Sequence, residues 1–317
     1  MAFYIARRVA AIALILLVIS ILIFAITQVL PGNVARMIAG QFATPDVIAA
    51  IQAKLGLNDP LVVQYWRWAS RIVSGDLGQS LIMERPIGPM LRTALANSAT
   101  LAAVSLVVIA IGGIGLGIIA AIRHNTALDH GISVVTFLGI SVPEFFWGIV
   151  LILVFAGYLQ WLPSGGAGDS ATGAMSLKHL VLPAATLTFA LIAHVSRMTR
   201  SSMLETLSSQ YVLYARAKGL PERVVLIRHA LRNALLPTIT VLAIDLGLLI
   251  GGIVVVETVF SYPGLGRLLL FAIERHDLPL IQATILVVAA IYCCANLAAD
   301  LLYAYFNPMI RYGRARR

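Results

Sequence analysis

Apolar residues run for the length of a bilayer crossing six times along the chain, at about 9–30, 98–122, 132–159, 180–198, 235–256 and 281–306. A hydrocarbon core of about 30 Å takes about 20 helical residues to cross. The pattern predicts an all-α membrane protein with six transmembrane helices. The first run carries no charge and follows Arg7 and Arg8. It resembles the core of a signal peptide but is too long for one, and it reads as a retained span.

The stretches between the runs differ in kind. Residues 31–94 are amphipathic, with Tyr65, Trp66 and Trp68 beside Arg67 and Arg71. They predict short helices lying at the membrane surface. "SGDLGQSL" near their end places glycines where turns are expected. "WLPSGGAGDSATGAMS", from Trp161, reads as a flexible connection without evident chemistry. The organisation is therefore a first span within 1–30, an external loop over 31–94, a core over 95–306 and a basic tail over 307–317.

Charge sets the orientation. Arg7, Arg8, Arg123, seven basic residues in 196–234 and four in the tail make 14 of the 23 Lys and Arg. The short stretches opposite hold Lys178, Arg267 and Arg275. Basic residues mark the cytoplasmic side, so both termini are expected there. The formal charge of +9 follows from this asymmetry, and nucleic-acid binding is set aside. At 60% hydrophobic and 12% charged, the chain departs far from the roughly 25% charged residues of a soluble domain. Cys293 and Cys294 are adjacent in an apolar run and suit neither a disulfide framework nor a metal site.

Catalytic motifs are absent. There is no G-x-x-x-x-G-K-[ST], no H-E-x-x-H and no G-x-S-x-G, and the six histidines are scattered. A transporter built this way draws on an ion gradient, a partner's ATP or the solute's own gradient. Ionisable residues inside spans are the usual pointers to a translocation path. Asp245 sits midway along the fifth run and Glu144 follows Pro143 in the third; Glu257 and Asp300 lie nearer span ends. Asp245 fits two readings: a hydrogen-bonded group inside the bundle, or a group lining the path. Gly113 with Gly117, and Gly247 with Gly251, form G-x-x-x-G pairs that suit close helix packing.

The most basic segment is "YARAKGLPERVVLIRHALRNALLPTI", from Tyr214 to Ile239. Residues 197–218 read as one helix leaving the membrane, with Gly219 as its left-handed cap. Pro221 fits the first turn of the next helix, and Glu222 suits its positive end. Val224, Ile227, Leu231 and Ala234 would share one face, Arg228 and Arg232 another. The outcome is a cytoplasmic elbow, a docking surface rather than a plain basic loop.

This segment resembles the cytoplasmic signature of ABC importer permeases, E-A-A-x3-G-x9-I-x-L-P, and more closely that of the dipeptide/oligopeptide/nickel subfamily. Gly219 falls on the signature glycine and Ala215 on its second alanine; of the I-x-L-P positions only Leu231 is kept. "LPGN" at 30–33, "LGLNDPLVVQYWRW" at 55–68, "GDLGQSL" at 75–81, "SVPEFFWGIVLILVF" at 141–155, "WLPSGG" at 161–166, "VVETVFSYPGLGRLL" at 255–269 and "NLAADLLYAYFNPMIRY" at 296–312 also look like this family. Leu213, Tyr214 and Gln210 depart from its pattern, as does the acid at Asp245. The resemblance implies a type I importer fold in a prokaryotic cell membrane. It implies a second permease, two cytoplasmic ATPase subunits that bind ATP and Mg, and an external peptide-binding protein, with no cofactor or metal in this chain. It places Ala215, Arg216, Lys218, Gly219, Leu220, Pro221, Arg223 and His229 at the ATPase contact. The cargo implied is a di- or oligopeptide, with nickel or glutathione as alternatives. A proton-coupled carrier using Asp245, or a membrane scaffold, remains the competing class.

Overall fold

A computed structural model describes residues 2–29, 44–55, 58–166, 168 and 177–306. The described residues are almost wholly helical: α1 (Ala2–Val29), α2 (Pro45–Leu55), α3 (Leu61–Val73), α4 (Ile87–Ile122), α5 (Ala127–Ser141), α6 (Glu144–Leu151) running into a π-helical turn π1 (Ile152–Tyr158), α7 (Leu177–Leu207), α8 (Gln210–Ala217), α9 (Glu222–Val224), π2 (Val225–Leu231), α10 (Arg232–Val259), α11 (Leu265–Glu274) and α12 (Leu278–Phe306). Five stretches are long and apolar enough to cross a membrane: Ile5–Gln28, Ile87–Ile122, Leu177–Leu207, Glu222–Val259 and Leu278–Leu302. The pair Ala127–Ser141 and Glu144–Tyr158 makes a sixth if its two arms count as one. "LPGN" and the basic tail at 307–317 lie outside the described residues.

The expectation of one continuous span over 132–159 is corrected. The helix breaks at Val142 and Pro143 and its two arms bend by 107°. Proline lacks the N–H that would continue the ladder and crowds the residue before it out of the helical region. Val142 accordingly sits at φ −110°, ψ 132°. The second span is also longer than its apolar run, beginning at Ile87 rather than 98.

Contacts divide the chain into two compact units, Met1–Asn97 with Pro263–Cys293, and Ser98–Tyr262 with Cys294–Arg317. In the first, Phe24 of α1 meets Tyr65 and Trp68 of α3, and Ser20 Oγ lies 2.9 Å from the Tyr65 hydroxyl. Ile87, Leu91, Leu265, Ala272 and Leu280 form its core. The buried Asp277 carboxylate accepts from Ser80 Oγ at 2.5 Å and from the Leu81, Ile82 and Leu280 amides, so it caps α12 and fixes the loop ahead of α4 at once. A side-chain N-cap of this kind contributes about 1 kcal/mol.

The second unit is built on α7, the most buried of the spanning helices. Leu101, Ile109, Leu182, Leu187, Val195, Leu249, Val256, Phe260 and Tyr262 form its main core. A smaller cluster of Met203, Val212, Ala215, Val225, Ala230 and Ala234 holds the C-terminal end of α7 to the segment that follows. Burial pushes the Tyr262 phenol up to about 12, with Glu257 nearby adding to the rise.

Candidate functional site

The basic segment folds as a compact elbow. The single helix expected over 197–218 is corrected to two. Helix α7 ends at Leu207 and α8 begins at Gln210. Ser208 and Ser209 at the junction donate their hydroxyls to the carbonyls of Glu205 and Thr206, at 2.8 and 2.5 Å. Such side-chain bonds compete with the helical ladder. At the far end of α8 the chain turns through Gly219, at φ +76°. The Gly219 amide bonds the Arg216 carbonyl at 2.9 Å and the Leu220 amide reaches Ala215 at 3.4 Å. A Cβ at Gly219 would meet nothing within 4 Å, so the positive φ alone is what calls for glycine here. Pro221 sits one position before the place expected for it, as the extended residue leading into α9, and its carbonyl accepts from the Val224 and Val225 amides.

The apolar face of the elbow also differs from expectation. Val225, Ala230 and Ala234 are buried, while Ile227 is 55% exposed. The reason is π2. Its wider turn, bonded i→i+5, moves the inward positions away from the 3.6-residue spacing that selected Val224, Ile227, Leu231 and Ala234. Arg228 and Arg232 do stay outside.

Among the residues placed at the ATPase contact, Lys218, Gly219, Leu220, Pro221 and Arg223 lie on the surface, His229 is half-buried, and Ala215 is buried under the turn. Arg216 is engaged within the chain: its guanidinium grips the Glu222 carboxylate across the turn at 2.6 and 3.2 Å. Both partners are well exposed, so the pair adds at most about 1 kcal/mol and serves mainly to set the turn. Its lasting electrostatic mark is a raised Arg216 guanidinium, held up by the hydrogen bond it donates to that carboxylate. Tyr211, Leu213, Tyr214 and Ile227 of the same segment are exposed apolar side chains beside the basic ones in sequence. Sequence reasoning noted Leu213 and Tyr214 only as departures from the family pattern. Exposed apolar groups rimmed by polar ones mark contacts with protein, membrane or ligand.

Ahead of the elbow, α7 is tied to α5 by an ion pair the sequence did not reveal. Arg200 of α7 grips the fully buried Asp129 of α5 through Nε at 2.6 Å and Nη2 at 2.8 Å. The Asn125 amide adds a bond at 3.0 Å, and His124 Nδ1 lies 3.3 Å away. The signal available was slight: Asp129 is the one acid in an otherwise basic cytoplasmic stretch.

Inside the spanning helices, Asp245 of α10 is 1% exposed, and its Oδ1 lies 2.9 Å from His194 Nδ1 on α7. Glu144 opens α6 just after the Pro143 break, and a Cβ on Gly252 of α10 would come within 2.7 Å of its Oε2. Asp245 and Gly252 are two helical turns apart on the buried side of α10, so the two acids meet the same face about 10 Å apart. The structure therefore brings Asp245 and Glu144 to one helix. Glu257 is buried and accepts from Ser98 Oγ at 2.5 Å.

The glycine pairs have different surroundings. A Cβ on Gly113 would lie 2.7 Å from Val195, and one on Gly117 would lie 2.5 Å from Thr199 Cβ and 2.6 Å from the Ser196 carbonyl. Helices α4 and α7 are thus backbone to backbone there. Gly251 faces open space, and it is its neighbour Gly252 that lies against a partner. Among the described residues no group of three or more His, Cys, Asp and Glu could hold a metal.

Comparison with known proteins places this arrangement. Residues 113–312 match the family described as the binding-protein-dependent transport system inner membrane component, and residues 1–108 match its N-terminal component family. The chain is 40% identical over 309 residues to the glutathione transport system permease protein GsiC of Escherichia coli O6:H1 strain CFT073, covering 98% of this chain and 99% of that one. GsiC of Salmonella paratyphi A is 38% identical over the same coverage. In fold, the chain is similar to the inward-facing MetNI methionine ABC transporter, with TM-score 0.56, 15% identity, and coverage of 69% of this chain and 96% of that one. With its spanning helices and a fold shared with type I ABC permeases, the chain belongs to the binding-protein-dependent transport system inner membrane component family, as a multi-pass, non-catalytic ABC importer permease of the peptide/glutathione group.

Proposed function

We propose that this chain is one of two permease subunits of an importer for di- or oligopeptides, the tripeptide glutathione included. The observation that carries the cargo class is the 40% identity to the glutathione permease GsiC over essentially the full length of both chains. In this reading a loaded binding protein docks outside and ATP closes two cytoplasmic ATPase subunits. The surface of 211–232 sits in a groove of one ATPase and passes that closure to the bundle, which switches between inward-open and outward-open states. The basic residues, the exposed Tyr211, Leu213, Tyr214 and Ile227, and the Arg200–Asp129 pair that ties α7 to α5 support such a role, because a docked element must be both sticky and stiff. Asp245 and Glu144, sharing one face of α10, support a path through the second unit.

The test is to purify the chain with its associated subunits, identify the ligand of the co-purifying binding protein, and measure uptake into vesicles. Peptide or glutathione uptake that requires ATP and the loaded binding protein is expected. Uptake by this chain alone, without ATP, would refute the reading in favour of a proton-coupled carrier. A metal ion as the bound ligand would move the cargo to nickel-type transport.

A further inference from the structure

Exposed positions on the spanning helices of the second unit are oily almost throughout. Ile111 of α4, Phe137 of α5, and Ile244 and Leu248 of α10 are each more than half exposed. Helix α7 has a stripe that breaks this rule. His194, Arg197 and Ser201 follow Ala190 at helical spacing, and none offers an apolar surface to lipid. The His194 side chain is 39% exposed, and Arg197 and Ser201 are exposed. Arg197 has no ion pair or hydrogen bond among the described residues. Polar groups at membrane depth, as His194 is within the 180–198 run, face water-filled paths or protein rather than hydrocarbon, and Arg197 closes the stripe at the end of that run.

The histidine is held in a definite pose. Its Nδ1 is committed to Asp245 Oδ1 at 2.9 Å, and the second Asp245 oxygen is buried without a partner. Its Nε2 has no partner among the described residues, in a side chain 39% exposed. A carboxylate behind a histidine fixes ring orientation and so determines what the other nitrogen presents. His194 lies about 25 Å along α7 from Leu177, towards the cytoplasmic end, and Arg197 follows one turn beyond. A positioned imidazole followed by a permanently charged guanidinium is a site for an anion.

We propose that the α7 stripe lines the inner part of the transport path and receives the cargo's carboxylate, with His194 and Arg197 touching it and Asp245 positioning His194. The inference rests on the peptide-importer reading and adds to it the group recognised and the residues that recognise it.

The experiment uses the complete complex in vesicles, with binding protein saturated by either of two cargoes: a dipeptide with a free C-terminus or the same dipeptide as its amide. Loading of the binding protein is measured separately for each. The wild-type complex is expected to favour the acid. His194→Leu and Arg197→Gln should each lower the acid-to-amide uptake ratio about tenfold, the scale of one hydrogen bond to a charged group. His194→Gln, which keeps an N–H donor, should restore much of the ratio, and Asp245→Leu should lower it more than Asp245→Asn. An unchanged ratio in His194→Leu and Arg197→Gln overturns the site. So does a loss that is equal for both cargoes and follows the anionic lipid content of the vesicles, which would make Arg197 a headgroup anchor. Weakened co-purification of the second permease would make the stripe a subunit interface and likewise overturn it. If the wild-type complex takes up neither cargo although both load the binding protein, the peptide-importer reading itself fails.

Discussion

Replacing Gly219 isolates the contribution of one backbone angle to coupling. The residue sits at φ +76° with no atom within 4 Å of where a Cβ would stand, so a Cβ meets no neighbour and it is the conformation that is strained. An L-residue with a Cβ costs about 1–2 kcal/mol in this region, asparagine less, and a β-branched residue up to about 3 kcal/mol. Each 1.4 kcal/mol is a factor of about ten in population, so Gly219→Val should reduce correctly aimed elbows by about 100-fold and Gly219→Ala by about tenfold. Gly219→Asn should remain close to wild type. The same energies are small beside the burial of several apolar spans in a bilayer, so all three variants should reach the membrane in normal amounts. The assay is ATPase stimulation by loaded binding protein in the purified complex, together with vesicle uptake. The expected order is Gly, Asn, Ala, Val in both measurements. Wild-type coupling in Gly219→Val would show that the turn is not aimed at anything and that the elbow is merely a basic loop.

Four further outcomes follow from the geometry. Gly117→Leu should destabilise the purified complex by at least about 1–3 kcal/mol, because its Cβ would overlap Thr199 and the Ser196 carbonyl; Gly251→Leu, with open space around it, should leave thermal unfolding unchanged. Asp129→Asn should cost about 3 kcal/mol in unfolding measurements, since it strips the charge partner from Arg200 in a site where Asp129 is fully buried. Asp245→Asn should preserve ATP-driven uptake with altered affinity or selectivity, whereas complete loss in an assembled complex would point to ion coupling. An impermeant thiol reagent applied outside sealed cells should modify a cysteine at Gly168 and spare one at Arg223; the reverse would invert the topology.

The sequence made the spans legible because hydrocarbon thickness imposes a length of apolar run that little else produces. It could not show that the third is bent, although Val142-Pro143 carried the signal, because continuous hydrophobicity hides a break that costs no apolar residue. The elbow's turn was readable for a local reason: glycine and proline fix backbone angles wherever they stand. Its buried face was not readable. Val224, Val225, Leu226 and Ile227 are all apolar, so the segment can satisfy either an α or a π ladder, and packing against Ala121 and Met203 decides between them. The two polar pairs were out of reach for another reason. Arg200 with Asp129 and His194 with Asp245 join residues 71 and 51 positions apart, and only the packing of α7 against its neighbours brings them together.

The π-helical turn over Val225–Leu231 also bears on which changes in chain length the protein can absorb. Each i→i+5 ring encloses one residue more than an i→i+4 ring. A single-residue deletion inside this turn could therefore be taken up by tightening it to an α-helix, leaving Arg232 and the whole of α10 in register. A deletion in α10 has no such slack: it would rotate Asp245 and Gly252 off their shared face relative to everything that follows. Tolerance to lost residues is thus concentrated at the cytoplasmic elbow, where homologous chains of slightly different length can differ without disturbing the membrane core.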